Sequence, residues 1–174
     1  MSGTEVLLIG GRSGVGKSAV GSEMHAQLSA AGVRHCLIEG DNLDMAYPPP
    51  QEHGLAEQNL TAMWANYAAL GYRRMIYTNT ASVLTKVITD LTAAIGGNPR
   101  VTAVLLRCSN ATAHQRLSQR EMGTALNWHL QRSAVMARRL DEDAAPWVRR
   151  IDTDGQPVAD IAAQIIGLAG WAAQ

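Results

Sequence analysis

The chain has 174 residues, 47% hydrophobic and 17% charged, with no formal net charge and a pI of about 7.0. This describes one soluble domain over residues 1–174 with room for a sizeable core. The neutral balance argues against nucleic acid or an anionic membrane as partner, and no apolar run reaches the length of a membrane span.

The first predicted element is Glu5-Val6-Leu7-Leu8-Ile9-Gly10, an apolar run closed by glycine and typical of a buried strand. Gly11-Arg12-Ser13-Gly14-Val15-Gly16-Lys17-Ser18 follows and fits G-x-x-x-x-G-K-[ST], the phosphate-binding P-loop. Behind it Ala19, Val20, Met24, Leu28 and Ala31 recur at helical spacing, so the motif sits in the strand–loop–helix context that it requires. The chemistry explains the residue types. Glycines allow positive-φ turns that aim successive N–H groups at one anion, and the helix N-terminus adds positive potential. Lys17 supplies a mobile charge for the β- and γ-phosphates of ATP, and Ser18 a hydroxyl for Mg2+. Lysine is otherwise rare: Lys17 and Lys86 stand against thirteen arginines.

Further along, residues 34–39 read as a second strand, and Pro48-Pro49-Pro50 enforces extended chain. A helix over 55–70 carries Leu60, Met63, Trp64, Tyr67 and Leu70 on one stripe. Strand three spans 73–78, a helix 82–95, and strand four 101–108, after which Asn110 is a plausible N-cap. The helix it starts breaks near Gly123. A further helix covers 128–140, a turn 141–146, a short fifth strand 148–152, and an amphipathic helix 158–171 closes the chain. Cys36 and Cys108 each end an apolar run and read as buried free thiols; with no leader at the N-terminus, the expected compartment is the cytoplasm. The five histidines show no metal-ligand spacing, and with no Phe the core falls to Leu, Ile, Val, Ala and Met.

Strands alternating with helices imply a parallel sheet covered on both faces, whose ligands bind beyond the carboxyl ends of the strands. The strand-end loops are therefore the candidate site. Glu39-Gly40-Asp41-Asn42 places Asp41 across from Lys17, where it would take a proton from an attacking hydroxyl or hold Mg2+ through water; the alternative is a turn cap. Asn42 and Asp44 lie beside it on the expected acceptor side. Thr78-Asn79-Thr80 occupies the position where many P-loop proteins carry an acid for the metal's water shell, and here Asn79 offers only a neutral amide. Arg116 and Arg120 share a helix face before Gly123 and read as a lid, over about 116–130, that closes on phosphates; Arg132 extends the basic supply, and the alternative is a solvated basic face. Trp64 and Trp128 are candidate walls of an acceptor pocket, although aromatic stripes are more often core.

With these residues in place the chain resembles the small-molecule kinase branch of P-loop proteins: nucleoside-monophosphate, shikimate, gluconate and adenylylsulfate kinases and chloramphenicol phosphotransferase. The Glu39–Asn42 turn is similar to the D-G-D-N turn of adenylylsulfate kinases, with Glu39 replacing the first Asp. Trp128 with Arg132, then Arg150-Ile151-Asp152-Thr153-Asp154, resembles the tunicamycin-resistance family. The resemblance implies a three-layer α/β/α fold with strand order 2-3-1-4-5, Asp154 near the adenine, and Asp41 as base. It implies ATP and Mg2+ as cofactors and phosphoryl transfer to a hydroxyl of a small metabolite or antibiotic. The rival readings are a resistance protein acting by drug binding and a regulatory ATPase. The expected state is monomer or homodimer.

Overall fold

The computed structural model describes residues 3–50, 53–119 and 124–172. Its elements run β1 (Glu5–Gly11), α1 (Lys17–Ala30), β2 (Cys36–Glu39), a 3-10 turn over Gly40–Asn42, α2 (Leu55–Ala69), β3 (Arg74–Thr78), α3 (Thr85–Ile95), β4 (Arg100–Arg107), α4 (Asn110–Ser118), α5 (Thr124–Asp143), β5 (Arg149–Asp152) and α6 (Val158–Ala169). The five strands form one parallel sheet in the order β2-β3-β1-β4-β5.

The two faces of the sheet explain the unbroken apolar runs of its central strands. Val6 and Leu8 of β1 point to one face, where Leu60 and Trp64 of α2, Ile88 and Leu91 of α3 and Leu140 of α5 cover them. Leu7 and Ile9 point to the other, under Val20, Met24 and Leu28 of α1 and Ile161, Ile165 and Ile166 of α6. A strand buried on both sides has no polar alternation to display. The result is three layers, α/β/α, with every strand's carboxyl end on one edge.

Several boundaries differ from the sequence reading for local reasons. β2 begins at Cys36 rather than residue 34. α3 begins at Thr85 rather than 82, because Leu84 is extended and bridges antiparallel to Ala144. α5 begins at Thr124 and continues through Asp143, into the stretch expected to turn. α6 stops at Ala169 because Gly170 adopts φ 69° and caps it. The N-cap of α4 is Ser109, whose Oγ accepts the Thr112 amide at 3.1 Å; Asn110 is instead the first helical residue, and its side chain is engaged elsewhere. Among the described residues no helix is long and apolar enough to cross a membrane.

Candidate active site

The loop between β1 and α1 is built from backbone that only glycine adopts freely. Gly11, Gly14 and Gly16 have φ of 147°, 83° and 104°, and a Cβ on Gly11 would stand 2.7 Å from the Leu106 carbonyl oxygen. Gly16 is the N-cap of α1 and supplies no capping side chain, so the amides of the helix's first turn keep their capacity for an anion. Lys17 Nζ lies over the loop and donates to the carbonyl oxygens of Gly11 at 2.9 Å and Arg12 at 3.3 Å.

Neighbouring elements bring charged and polar groups to this loop. Ser18 Oγ donates to Glu39 Oε2 at 3.0 Å, joining the start of α1 to the end of β2. Two residues on, Asp41 Oδ1 accepts from Asn79 Nδ2 at 2.7 Å, while Asn79 Oδ1 accepts the Ala81 amide at 3.0 Å. Asn79 is thus held at both ends of its amide and orients one oxygen of Asp41. Opposite, Arg116 Nη1 donates to the Val15 carbonyl at 2.8 Å and lies 3.4 Å from Thr153 Oγ1. Lys17, Ser18, Asp41, Arg116 and Thr153 all line one cleft of about 640 Å3. The Tyr77 hydroxyl lies beneath it: burial pushes its pKa up, and the charges of Asp41, Glu57 and Asp44 add to the shift.

The spacing of Glu39 and Asp41 depends on the residue between them. A Cβ on Gly40 would lie 2.5 Å from Tyr77 Cζ and 2.9 Å from the Thr78 carbonyl, so only glycine fits. Glu39 is a functional candidate that the motif reading passed over. An acid ending β2, two residues before Asp41 and facing the hydroxyl of the P-loop, was the available signal.

Other expected positions are placed differently. Arg12 belongs to the P-loop by sequence, yet its side chain leaves the cleft; it is 4% exposed and donates from Nε to Ser133 Oγ on α5 at 2.9 Å and from Nη1 to Asn110 Oδ1. Ser133 Oγ in turn donates to the Ser13 carbonyl at 2.9 Å, a link between P-loop and α5 with no local sequence signal. Asp154 accepts the Ser109 amide at 2.9 Å, and that bond holds its carboxyl below the ordinary range; it ties the loop after β5 to the cap of α4. Trp64 is 5% exposed inside the core and lines neither the P-loop cleft nor a second cleft under α5, so the structure gives it to packing. Trp128 is half exposed, with the Arg132 guanidinium 4.3 Å above its ring, and Asn42 and Asp44 stand outside both clefts. Arg120 and Gly123 lie outside the described residues.

The residues present fit a magnesium ion. Ser18 and Glu39 offer two hard oxygen donors side by side, which suits an ion that takes few protein ligands and fills its shell with phosphate oxygens and water. Among the described residues no cluster of three or more His, Cys, Asp or Glu offers an all-protein cage. Thr78, at the end of β3, has a buried hydroxyl with no hydrogen-bond partner among the described residues. A Cβ on Gly21 would meet Thr78 Cγ2 at 3.1 Å, so it is the methyl of this side chain that packs toward α1.

No protein-family model matches the chain, and no curated protein matches it in sequence. Solved structures do match in fold. The tunicamycin resistance protein of Deinococcus radiodurans superposes with a TM-score of 0.69 at 16% identity, over 96% of each chain. A gluconokinase from Sinorhizobium meliloti gives 0.61 at 21% identity, over 99% of this chain and 95% of its own. The adenylylsulfate kinase of Mycobacterium tuberculosis, in complex with AMPPNP and APS, gives 0.60 at 16% identity, over 98% of this chain and 99% of its own. The chain therefore has the fold of the P-loop small-molecule kinases along nearly its whole length.

Proposed function

We propose that this protein transfers the γ-phosphate of ATP to a hydroxyl group of a small molecule. The observation that carries the reading is the convergence of Lys17, Ser18, Asp41 and Arg116 on one cleft at the carboxyl edge of the sheet, with Glu39 bonded to Ser18 and Asn79 to Asp41. The P-loop amides and Lys17 hold the β- and γ-phosphates. Ser18 and Glu39 would hold Mg2+, which would supply positive charge to the phosphate oxygens. Asp41, read from sequence both as base and as metal ligand, is assigned the base role: Asn79 orients it, and Glu39 holds the place beside Ser18. Arg116 braces the P-loop through the Val15 carbonyl and presents positive charge to the cleft. The segment of about 116–130, with Arg120, is the part of the chain assigned to closing over bound phosphates. ATP and a small acceptor are the partners in this reading, with no nucleic acid or membrane involved.

A second reading, drug sequestration with slow turnover, draws on the fold shared with tunicamycin resistance protein. One experiment separates the two. Incubation with ATP and Mg2+ against a panel of metabolites and antibiotics, followed by mass spectrometry, is expected to show one acceptor gaining a phosphoryl group. An acceptor that binds tightly and never gains it favours sequestration, and a chain that binds no ATP refutes both.

A further inference from the structure

A second cleft, of about 550 Å3, opens between α5 and the carboxyl end of β4. It shares no lining residue with the P-loop cleft, and none of its walls comes from β2, β3 or α2. Leu105, Ala134, Ala137 and Leu140 give it an apolar floor, and Arg12, Arg107 and Arg138 supply its charge. The volume lies in the range of small-ligand pockets.

Arg12 is the reason to expect an occupant. It is buried, and its two hydrogen-bond acceptors, Ser133 and Asn110, are neutral. A guanidinium removed from water costs several kcal/mol unless an opposite charge answers it. Other arginines of this chain have that answer: Arg107 forks onto Asp152 at 2.9 and 3.0 Å, Arg150 meets Asp141 at 3.3 Å, and Arg100 pairs with Glu5. Asp141 is the one carboxylate in the lining, and it is already divided between Arg107 and Arg150 at 3.3 Å each. Arg12 has no ion pair with a described residue, and burial lowers its pKa. Arg138 is exposed at the same cleft and makes no ion pair with a described residue either. The lining thus pairs two unanswered cations with an apolar floor.

We propose that this cleft binds a small organic anion, its carboxylate or phosphate facing Arg12 and Arg138 and its hydrocarbon part resting on Leu105, Ala137 and Leu140. The site is separate from the one assigned to ATP and acceptor, and it stands whether or not that assignment does. Because Arg12 is a P-loop residue whose carbonyl also receives Lys17 Nζ, an anion here lies one side chain away from the nucleotide cleft.

Calorimetric titration of the full chain with hexanoate and, separately, with phenyl phosphate tests the proposal. One-to-one saturable binding of at least one probe is expected, and the tighter probe tells carboxylate from phosphate. Arg138→Glu reverses an exposed charge, and Ala137→Leu fills the floor; each is expected to weaken the tighter probe by about fivefold or more. Should Ala137→Leu fail to fold, Arg138→Glu decides. The proposal is overturned if neither probe binds, or if either folded variant loses less than that; phenyl phosphate held equally well by both variants would be sitting on the P-loop.

Discussion

The two edges of this sheet use the same kinds of side chain to opposite ends. At the amino edge Glu5, on β1, accepts from the Trp171 indole at 2.8 Å, pairs with Arg100 on β4, and lies 3.5 Å from Arg74 Nε on β3. Three strands and the segment just beyond α6 are thereby pinned at one carboxylate that keeps little contact with solvent. At the carboxyl edge Lys17, Glu39, Asp41 and Arg116 are held by contacts to neighbouring loops, and Lys17, Asp41 and Arg116 still line an open cleft. Charge that is consumed by neighbours stabilises a fold. Charge that is positioned by neighbours yet left facing a cleft is available to a ligand. The difference lies in what surrounds each group, which is why composition alone says nothing of it.

The largest effect that would sharpen this contrast is at Asp41. Asp41→Asn is expected to lower turnover by about 10²- to 10⁴-fold while leaving nucleotide affinity unchanged, since a base acts in the transition state. A wild-type rate of acceptor phosphorylation would make Asp41 as structural as Glu5. Next in size is Lys17→Ala. Loss of a charge-assisted contact of roughly 1.5–3 kcal/mol should weaken AMPPNP binding by about one to two orders of magnitude in a protein with unchanged melting temperature; calorimetry showing equal affinity would remove Lys17 from the site.

The amino edge should respond in the reverse way. Glu5→Gln is expected to cost about 2 kcal/mol of unfolding free energy and to leave AMPPNP affinity as it was. Burial acts to raise the Glu5 pKa, but the hydrogen bonds from Trp171 and Arg100 and the charges of Arg100 and Arg74 outweigh it and leave it lowered from 4.5. A lowered folded-state value means the contribution is present above pH 4.5 and is lost as pH falls through that folded value. Urea titrations of wild type and variant should therefore converge in acid; parallel curves would show that Glu5 is not the group concerned.

The smallest effect concerns His35, just before β2. Its Nδ1 lies 2.7 Å from the Val33 carbonyl, so that nitrogen carries the proton, and its Nε2 accepts from His25 Nδ1 at 2.9 Å. Burial lowers its pKa from 6.5. The stability it contributes is complete above pH 6.5 and declines as pH drops through the folded value, because the unfolded chain binds the proton first. His35→Gln should flatten that part of the profile, and an unchanged slope would point to another group.

The legible part of this molecule was local. A motif eight residues long specified the P-loop, and apolar runs specified the strands, because their information lies within one or two turns of chain. Strand order came from resemblance. What escaped was set by contacts across long separations. Ser133 lies 121 residues from Arg12, which it holds, and the Arg116–Val15 contact spans 101. The helical stripe at Trp64 could not say whether it faced a pocket or a core, since both demand the same periodicity. Glu39 was visible as a motif variant but not as the partner of Ser18, because pairing depends on β2 ending beside α1.

Gly40 carries a consequence for how this protein can change. Its neighbour Tyr77 leaves no room for a methyl group, and deleting only the phenol oxygen would not make room, because the ring carbon Cζ already stands 2.5 Å from where that methyl would be. Shrinking 77 is not enough to free 40 either, because the Thr78 carbonyl oxygen, part of the backbone of β3, stands 2.9 Å from the same point. A library that varies the Glu39–Asn42 turn one residue at a time will find 40 immutable. One that varies 40 and 77 together will find it immutable still, because the limit is set by the backbone of β3 and not by a side chain alone.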